Sequence, residues 1–224
     1  MSIASVIGDA VRFAEYTVAV RNLLFMKQKA ARNFGSRGGT VIDEIVLHGT
    51  ESYHSQEESA EYLTGAVRDS IHYFIGRDSD HLYSIVAEDQ QAFHAGNPNR
   101  RPGVRDHNPR SIGIEMYQLD ISVFKGDASK LDFTDWQYDT VAMLVYDIRR
   151  RRKIRKDMVV AHHTINTVDK ADPRNFDWDR FNRKVDSISD TLANQLGPDC
   201  ALDRDPIPSG LMQRRVPWSP LGRL

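Results

Sequence analysis

Cysteine is nearly absent: Cys200 stands alone among 224 residues, which excludes an intramolecular disulfide framework and any four-cysteine zinc site. On this reading it is an incidental thiol of the tail. Net charge is also missing, since 30 Lys and Arg against 31 Asp and Glu leave −1, so no global field recruits nucleic acid or an anionic membrane. Long apolar runs are lacking too. The amino-terminal stretch MSIASVIGDAVRFAEYTVAVRNLLF is interrupted by Asp9, Arg12, Glu15 and Arg21 well short of the ~18 apolar residues of a membrane span. It carries no basic segment ahead of a clean apolar core, as a secretory signal would. The expectation is a protein without stable membrane insertion, cytoplasmic in the cell that makes it and able to meet a cell wall only if released.

What is present suffices for one well-buried domain with extensions, and is short for two. Residues Ser5 to Arg32 are expected to form an extra helix, ended by the glycine-rich NFGSRGG. From about Val41 the pattern alternates. Ile45–His48 reads as a short strand, and Ser55 with Glu58 as a capping box opening a helix through about Val67. His72–Ile75 and Leu82–Val86 read as a hairpin around GRDSD, and Ser111–Met116 as a further strand. Thr134 with Gln137 starts a helix whose stripe of Trp136, Val141, Leu144, Val145 and Ile148 runs to about Arg150. The following RRRRKIRK is read as a solvated helix end, where positive charge suits the dipole. Met158–Ala161 reads as a buried strand and Trp178–Leu196 as the last helix. The fold expected is α/β: one domain with a mixed central β-sheet flanked by helices, an extra N-terminal helix and an extended C-terminal tail. The divisions fall at 1–39, 40–196 and 197–224, the last rich in proline and arginine. Either extension could engage a protein partner.

The chemistry gathers in AHHTINTVDKADP, Ala161 to Pro173. His162 ends the MVVA strand, and Lys170 and Asp172, two residues apart, share a face if extended. His163 would then point the other way and is read as structural. His48 closes another apolar run just before Gly49. Two histidines and one carboxylate give three ligands and leave a fourth tetrahedral position, the open form of a catalytic zinc site. Most of the eight histidines need no such role, and His54 and His81 read as surface residues. Glu115 sits in the apolar SIGIEM, where burying an ion is costly without a partner. It reads as a general acid/base beside the metal, and Lys170 as positive charge placed where an amide oxygen turns negative.

The set LHGT, SIHYFIGRD, FHAG, RSIGIEM and HHTINTVDKADP, in that order across about Val41 to Val185, resembles the type 2 N-acetylmuramoyl-L-alanine amidases. That superfamily includes phage amidase-type lysozymes, cytosolic muropeptide-recycling amidases and peptidoglycan-recognition proteins. The resemblance implies that His48, His162 and Asp172 bind Zn2+, that Glu115 is the catalytic acid/base, and that Lys170 stabilises the transition state. It implies a peptidoglycan or muropeptide substrate, cut at the amide between the lactyl group of N-acetylmuramic acid and L-alanine. His72 and His94 fall where the family lines its groove and are implied substrate contacts. Some members carry a tyrosine just before the position of His72; here it is Ile71, which favours the branch that uses a glutamate at the Glu115 position. The function expected is that of a wall-lytic, endolysin-like amidase. A recycling amidase and a non-catalytic binding module are the alternatives, the latter typically lacking a metal ligand that this chain keeps.

Overall fold

The computed structural model describes residue 23 and residues 26–65, 69–96, 106–167 and 170–202. Its frame is a six-stranded mixed sheet in the order β1-β5-β4-β7-β3-β8, beside a two-stranded pair, β2-β6. The strands are β1 (Lys27–Gln28), β2 (Gly35–Ser36), β3 (Glu44–Gly49), β4 (Tyr73–Ile75), β5 (Leu82–Ser84), β6 (Gln90–Gln91), β7 (Ser111–Met116) and β8 (Val159–Ala161). β3 pairs in parallel with β7 and β8, and β4 in parallel with β7, so four neighbouring strands point the same way. The β4–β5 hairpin is antiparallel, as the turn-rich GRDSD demands.

Helix α1 (Gln56–Thr64) opens on the expected capping box: Ser55 accepts from the backbone of Glu58, and Glu58 accepts from that of Ser55. Helix α2 (Asp135–Arg152) opens on a second, made by Thr134 and Gln137. A single turn, α3 (His162–Ile165), follows β8, and α4 (Trp178–Leu196) closes the domain. Side chains two apart share a strand face. Ile45, Leu47, Ile112, Ile114 and Met116 therefore join Val141, Leu144, Val145 and Ile148 of α2 and Phe181, Val185 and Ile188 of α4 in the larger core. Ala60 and Leu63 of α1 pack with Ile71 and Phe74 in a smaller core. Val46, His48, Gly113 and Glu115 alternate onto the side away from α2 and α4.

Three expectations change. The helix expected to reach Arg32 does not: Lys27 and Gln28 pair with Tyr83 and Ser84, and Lys29 and Ala31 donate backbone hydrogen bonds to Ser84 and Ile85. An open sheet edge offers this segment partners that its local propensity could not foresee. Residues 5–22 and 24–25 of that expected helix lie outside the described residues, as do Val67, most of the long polar loop after Gly96 and the tail from residue 203. Cys200 is buried, not incidental, for its carbonyl accepts from Tyr146 Oη at 2.7 Å. The basic run is not merely solvated: Arg151 and Arg152 converge on Glu88, and Arg149 is buried with Nε on the carbonyl of Ile154.

Candidate active site

Parallel pairing decides where the chemistry lies. His48 is the fifth residue of β3 and stands directly beside Glu115 of β7, while His162 begins the turn after β8. All three sit at the carboxyl ends of parallel strands, where α/β sheets offer a crevice to ligands. Asp172 returns on the following loop, and its Oδ2 lies 3.4 Å from the backbone N–H of Gly49. The backbone N–H of His163 donates to the carbonyl of Asp172 at 3.0 Å and its ring Nδ1 lies 3.2 Å from the same oxygen, so His163 braces this loop.

The facing atoms are His48 Nδ1, His162 Nδ1 and Asp172 Oδ2. Their separations are 3.0 Å between the two nitrogens, 3.0 Å from His162 to the carboxylate and 3.4 Å from His48 to it. Donors ~2 Å from a tetrahedral ion stand roughly 3.3 Å apart, so the triangle has the right size for zinc. A shared proton could satisfy only one edge at a time, whereas a cation serves all three. Their three side chains are buried. Burial, with the adjacent His162, lowers the pKa of His48 to about 4, so the ring is neutral and can ligate at ordinary pH. Burial opposes the charge on Asp172, but the neighbouring His162 and His48 prevail and hold it ionised.

Glu115 is half-buried and receives no hydrogen bond from any described residue. Burial raises its pKa well above the carboxylate range; Asp172 adds to the rise and Lys170 opposes it. Lys170 itself is exposed, and its charge is felt at both Glu115 and His48.

The two implied groove histidines fare differently from expectation. His72 has no exposed surface; its Nδ1 accepts from the backbone N–H of Gly113 at 2.9 Å, and its Nε2 lies 2.7 Å from Arg37 Nη2 and 3.2 Å from the carbonyl of Gln90. The ring is enclosed by the protein, with its nitrogens facing Arg37, Gly113 and Gln90. His94 stands closer to the chemistry, with Nδ1 3.0 Å from His48 Nε2 and Nε2 3.1 Å from Ser111 Oγ. His54 is exposed, whereas His81 is held between Glu57 and Asp78 rather than free on the surface.

Sequence reasoning missed Arg37, Asn108, Ser111 and Gly113. Arg37 is buried, and its guanidinium donates to the carbonyls of Glu88, Pro109 and Ser111, joining the amino-terminal segment to the back of the site. The one legible signal was Gly113, since a glycine inside a strand marks a close approach.

A mixed sheet whose parallel strands carry two imidazoles and an acid to one edge, with a second carboxylate alongside, defines an α/β enzyme built around a metal-ligand triad. The chain belongs to the N-acetylmuramoyl-L-alanine amidase family, which matches residues 38–175. A comparison with curated proteins gives no sequence match. Among solved structures, a selenomethionine derivative of AmpD is 23% identical with a TM-score of 0.56, over 71% of this chain and 94% of that one. The catalytic domain of XlyA is 20% identical with a TM-score of 0.51, over 71% of this chain and 98% of that one. Both are likenesses of fold. AmiD from E. coli, solved with its substrate anhydro-N-acetylmuramic acid-L-Ala-D-gamma-Glu-L-Lys, is 25% identical with a TM-score of 0.52, over 69% of this chain and 60% of that one.

Proposed function

We propose that this amidase is zinc-dependent and hydrolyses the lactyl–L-alanine amide of peptidoglycan, and that it serves as a wall-lytic, endolysin-like enzyme made in the cytoplasm and acting after release. The observation that carries the reading is the triangle formed by His48, His162 and Asp172, with Glu115 on the adjoining strand in register with His48. Bound there, zinc supplies Lewis acidity that activates water and polarises the amide carbonyl. Glu115, with its raised proton affinity, takes a proton from the attacking water and returns it to the departing nitrogen of L-alanine. Lys170 offsets the negative charge that develops on the carbonyl oxygen. The carbonyl carbon gains a bond to oxygen as its bond to nitrogen breaks, leaving a lactyl carboxylate and a free amine.

A recycling role is the second reading, favoured by the likeness to AmiD, whose structure holds an anhydromuramyl peptide. Mass spectrometry of digests, intact sacculi against soluble anhydro-muropeptides with and without chelator, separates the two. Free stem peptides from sacculi support the lytic role, and cleavage confined to soluble muropeptides supports recycling. Glu115→Ala is expected to keep zinc and lose roughly 100- to 10,000-fold in turnover. Asp172→Ala should lose the metal itself. Undiminished cleavage by Glu115→Ala, or by wild type after thorough EDTA treatment, sinks the mechanism.

A further inference from the structure

The metal reading leaves open what makes His48 present Nδ1, and not Nε2, to the site. A chain of hydrogen bonds answers this. Ser111 has one hydroxyl hydrogen, and it is committed to the carbonyl of His107 at 2.5 Å. Ser111 Oγ can therefore only accept from His94 Nε2, 3.1 Å away, which requires that nitrogen to carry the proton. An imidazole with a single N–H, placed on Nε2, leaves the Nδ1 of His94 as an acceptor. That Nδ1 lies 3.0 Å from His48 Nε2, which must then be the donor. With its proton on Nε2, His48 turns an unprotonated Nδ1 toward His162 and Asp172.

The ring of His94 is seated as firmly as this role requires. A Cβ on Gly113 would stand 2.6 Å from His94 Cγ and 2.7 Å from Nδ1, so the imidazole lies where only glycine leaves room. Asn108 Oδ1 accepts from the backbone N–H groups of His94 and Ala95 at 3.0 and 2.8 Å, while its Nδ2 donates to the carbonyl of Gly96 at 3.0 Å. Asn108 is itself buried. By contrast, Nε2 of His162 is buried with no hydrogen-bond partner among the described residues, so only one of the two imidazoles is braced from behind.

We propose that His94 is a positioning residue, anchored by Ser111, which fixes the tautomer and orientation of His48 for the metal instead of contacting substrate. Both of its ring nitrogens are spent inside the protein. A partner behind a ligating imidazole typically accounts for a 10- to 100-fold difference in metal affinity. The inference rests on the metal reading above, and its test keeps the two apart.

Zinc dissociation constants are measured by chelator competition for wild type, His94→Ala and His94→Asn, with thermal unfolding of each apoprotein as a check on folding. His94→Ala is expected to bind zinc roughly 10- to 100-fold more weakly. His94→Asn, whose amide oxygen can stand near the place of Nδ1 and accept from His48, is expected to recover most of that loss. Equal zinc affinity in wild type and a folded His94→Ala overturns the proposal alone, and a raised KM in that variant would return His94 to the substrate groove. No zinc binding by wild type overturns the metal reading and this inference with it. Nitrogen-15 NMR of the wild-type apoprotein decides the matter if His94→Ala does not fold: a proton on His48 Nε2 supports the proposal, and a proton on Nδ1 sinks it.

Discussion

Gly113 shows how much of the site depends on an atom that is not there. An added Cβ would meet Ile71 Cδ1 at 2.5 Å as well as the ring of His94, and that ring has both nitrogens committed and cannot simply turn aside. Gly113→Ala is therefore expected to cost about 1–3 kcal/mol, read by urea denaturation of the apoprotein, and to weaken zinc binding in chelator competition. An alanine variant with wild-type stability and affinity would mean the strand shifts freely. The residue types of the triad were legible because of their joint pattern: a histidine at the end of each of two apolar runs, with a carboxylate on the loop beyond, makes a metal-ligand set that no one of them suggests alone. His72 was not. Its identity resembles that of a groove residue, and only its burial against Arg37 and Gly113 shows that it supports the site from within.

Helix α2 carries two local devices with different reach. Thr134 caps its own helix, and Thr134→Ala should cost about 1 kcal/mol. Gln137 completes that box through Oε1 and also sends Nε2 to the carbonyl of Tyr117 at 2.8 Å, tying the helix to the chain leaving β7. Because Gln137 is fully buried, Gln137→Ala leaves that carbonyl unpaired and opens a cavity, and should cost about 2–4 kcal/mol. Equal losses for the two variants in urea titration would refute the double role. At its other end, Arg151 and Arg152 meet Glu88, which also accepts from Tyr73 Oη at 2.8 Å. Burial opposes ionisation of Glu88, but the bonds from Arg151, Tyr73 and Arg152 outweigh it and lower the pKa from 4.5 to about 2. A depressed folded pKa stabilises above the unfolded value and loses that contribution as pH falls through the folded one. Glu88→Gln should thus be less stable than wild type at pH 7 by on the order of 2–3 kcal/mol, with the gap narrowing between about pH 4.5 and 2. Stability curves for both proteins across that range test it, and a gap independent of pH would disprove the linkage. The capping boxes of α1 and α2 were readable because a cap is a contact over three residues. The short β1 was not, since two residues become a strand only beside β5.

Across the whole molecule, the triad joins β3, the turn after β8 and the loop before α4, segments that local structure alone does not hold together. A ligand that binds only the folded form adds about 2.7 kcal/mol at 100 times its Kd. For a chain of this size that corresponds to roughly 5–10 °C in Tm. Chelation should lower the Tm of wild type by about that much and leave Asp172→Ala unchanged; an equal fall in both would remove zinc from the folded state's stability.

The sequence by itself determined the α/β class, the longer elements from β3 to α4 to within a few residues, though not the short β6 or the single turn α3, and the side chains able to do metal and proton chemistry. These depend on short-range matters: periodicity, caps and the intrinsic chemistry of each residue. Tertiary structure decided that β3 and β7 pair in a register that sets His48 beside Glu115, that the amino-terminal segment joins the sheet, and that His94 stands behind His48. Each of those is a contact between residues far apart in the chain, fixed by how whole faces pack against one another, and no local pattern specifies it.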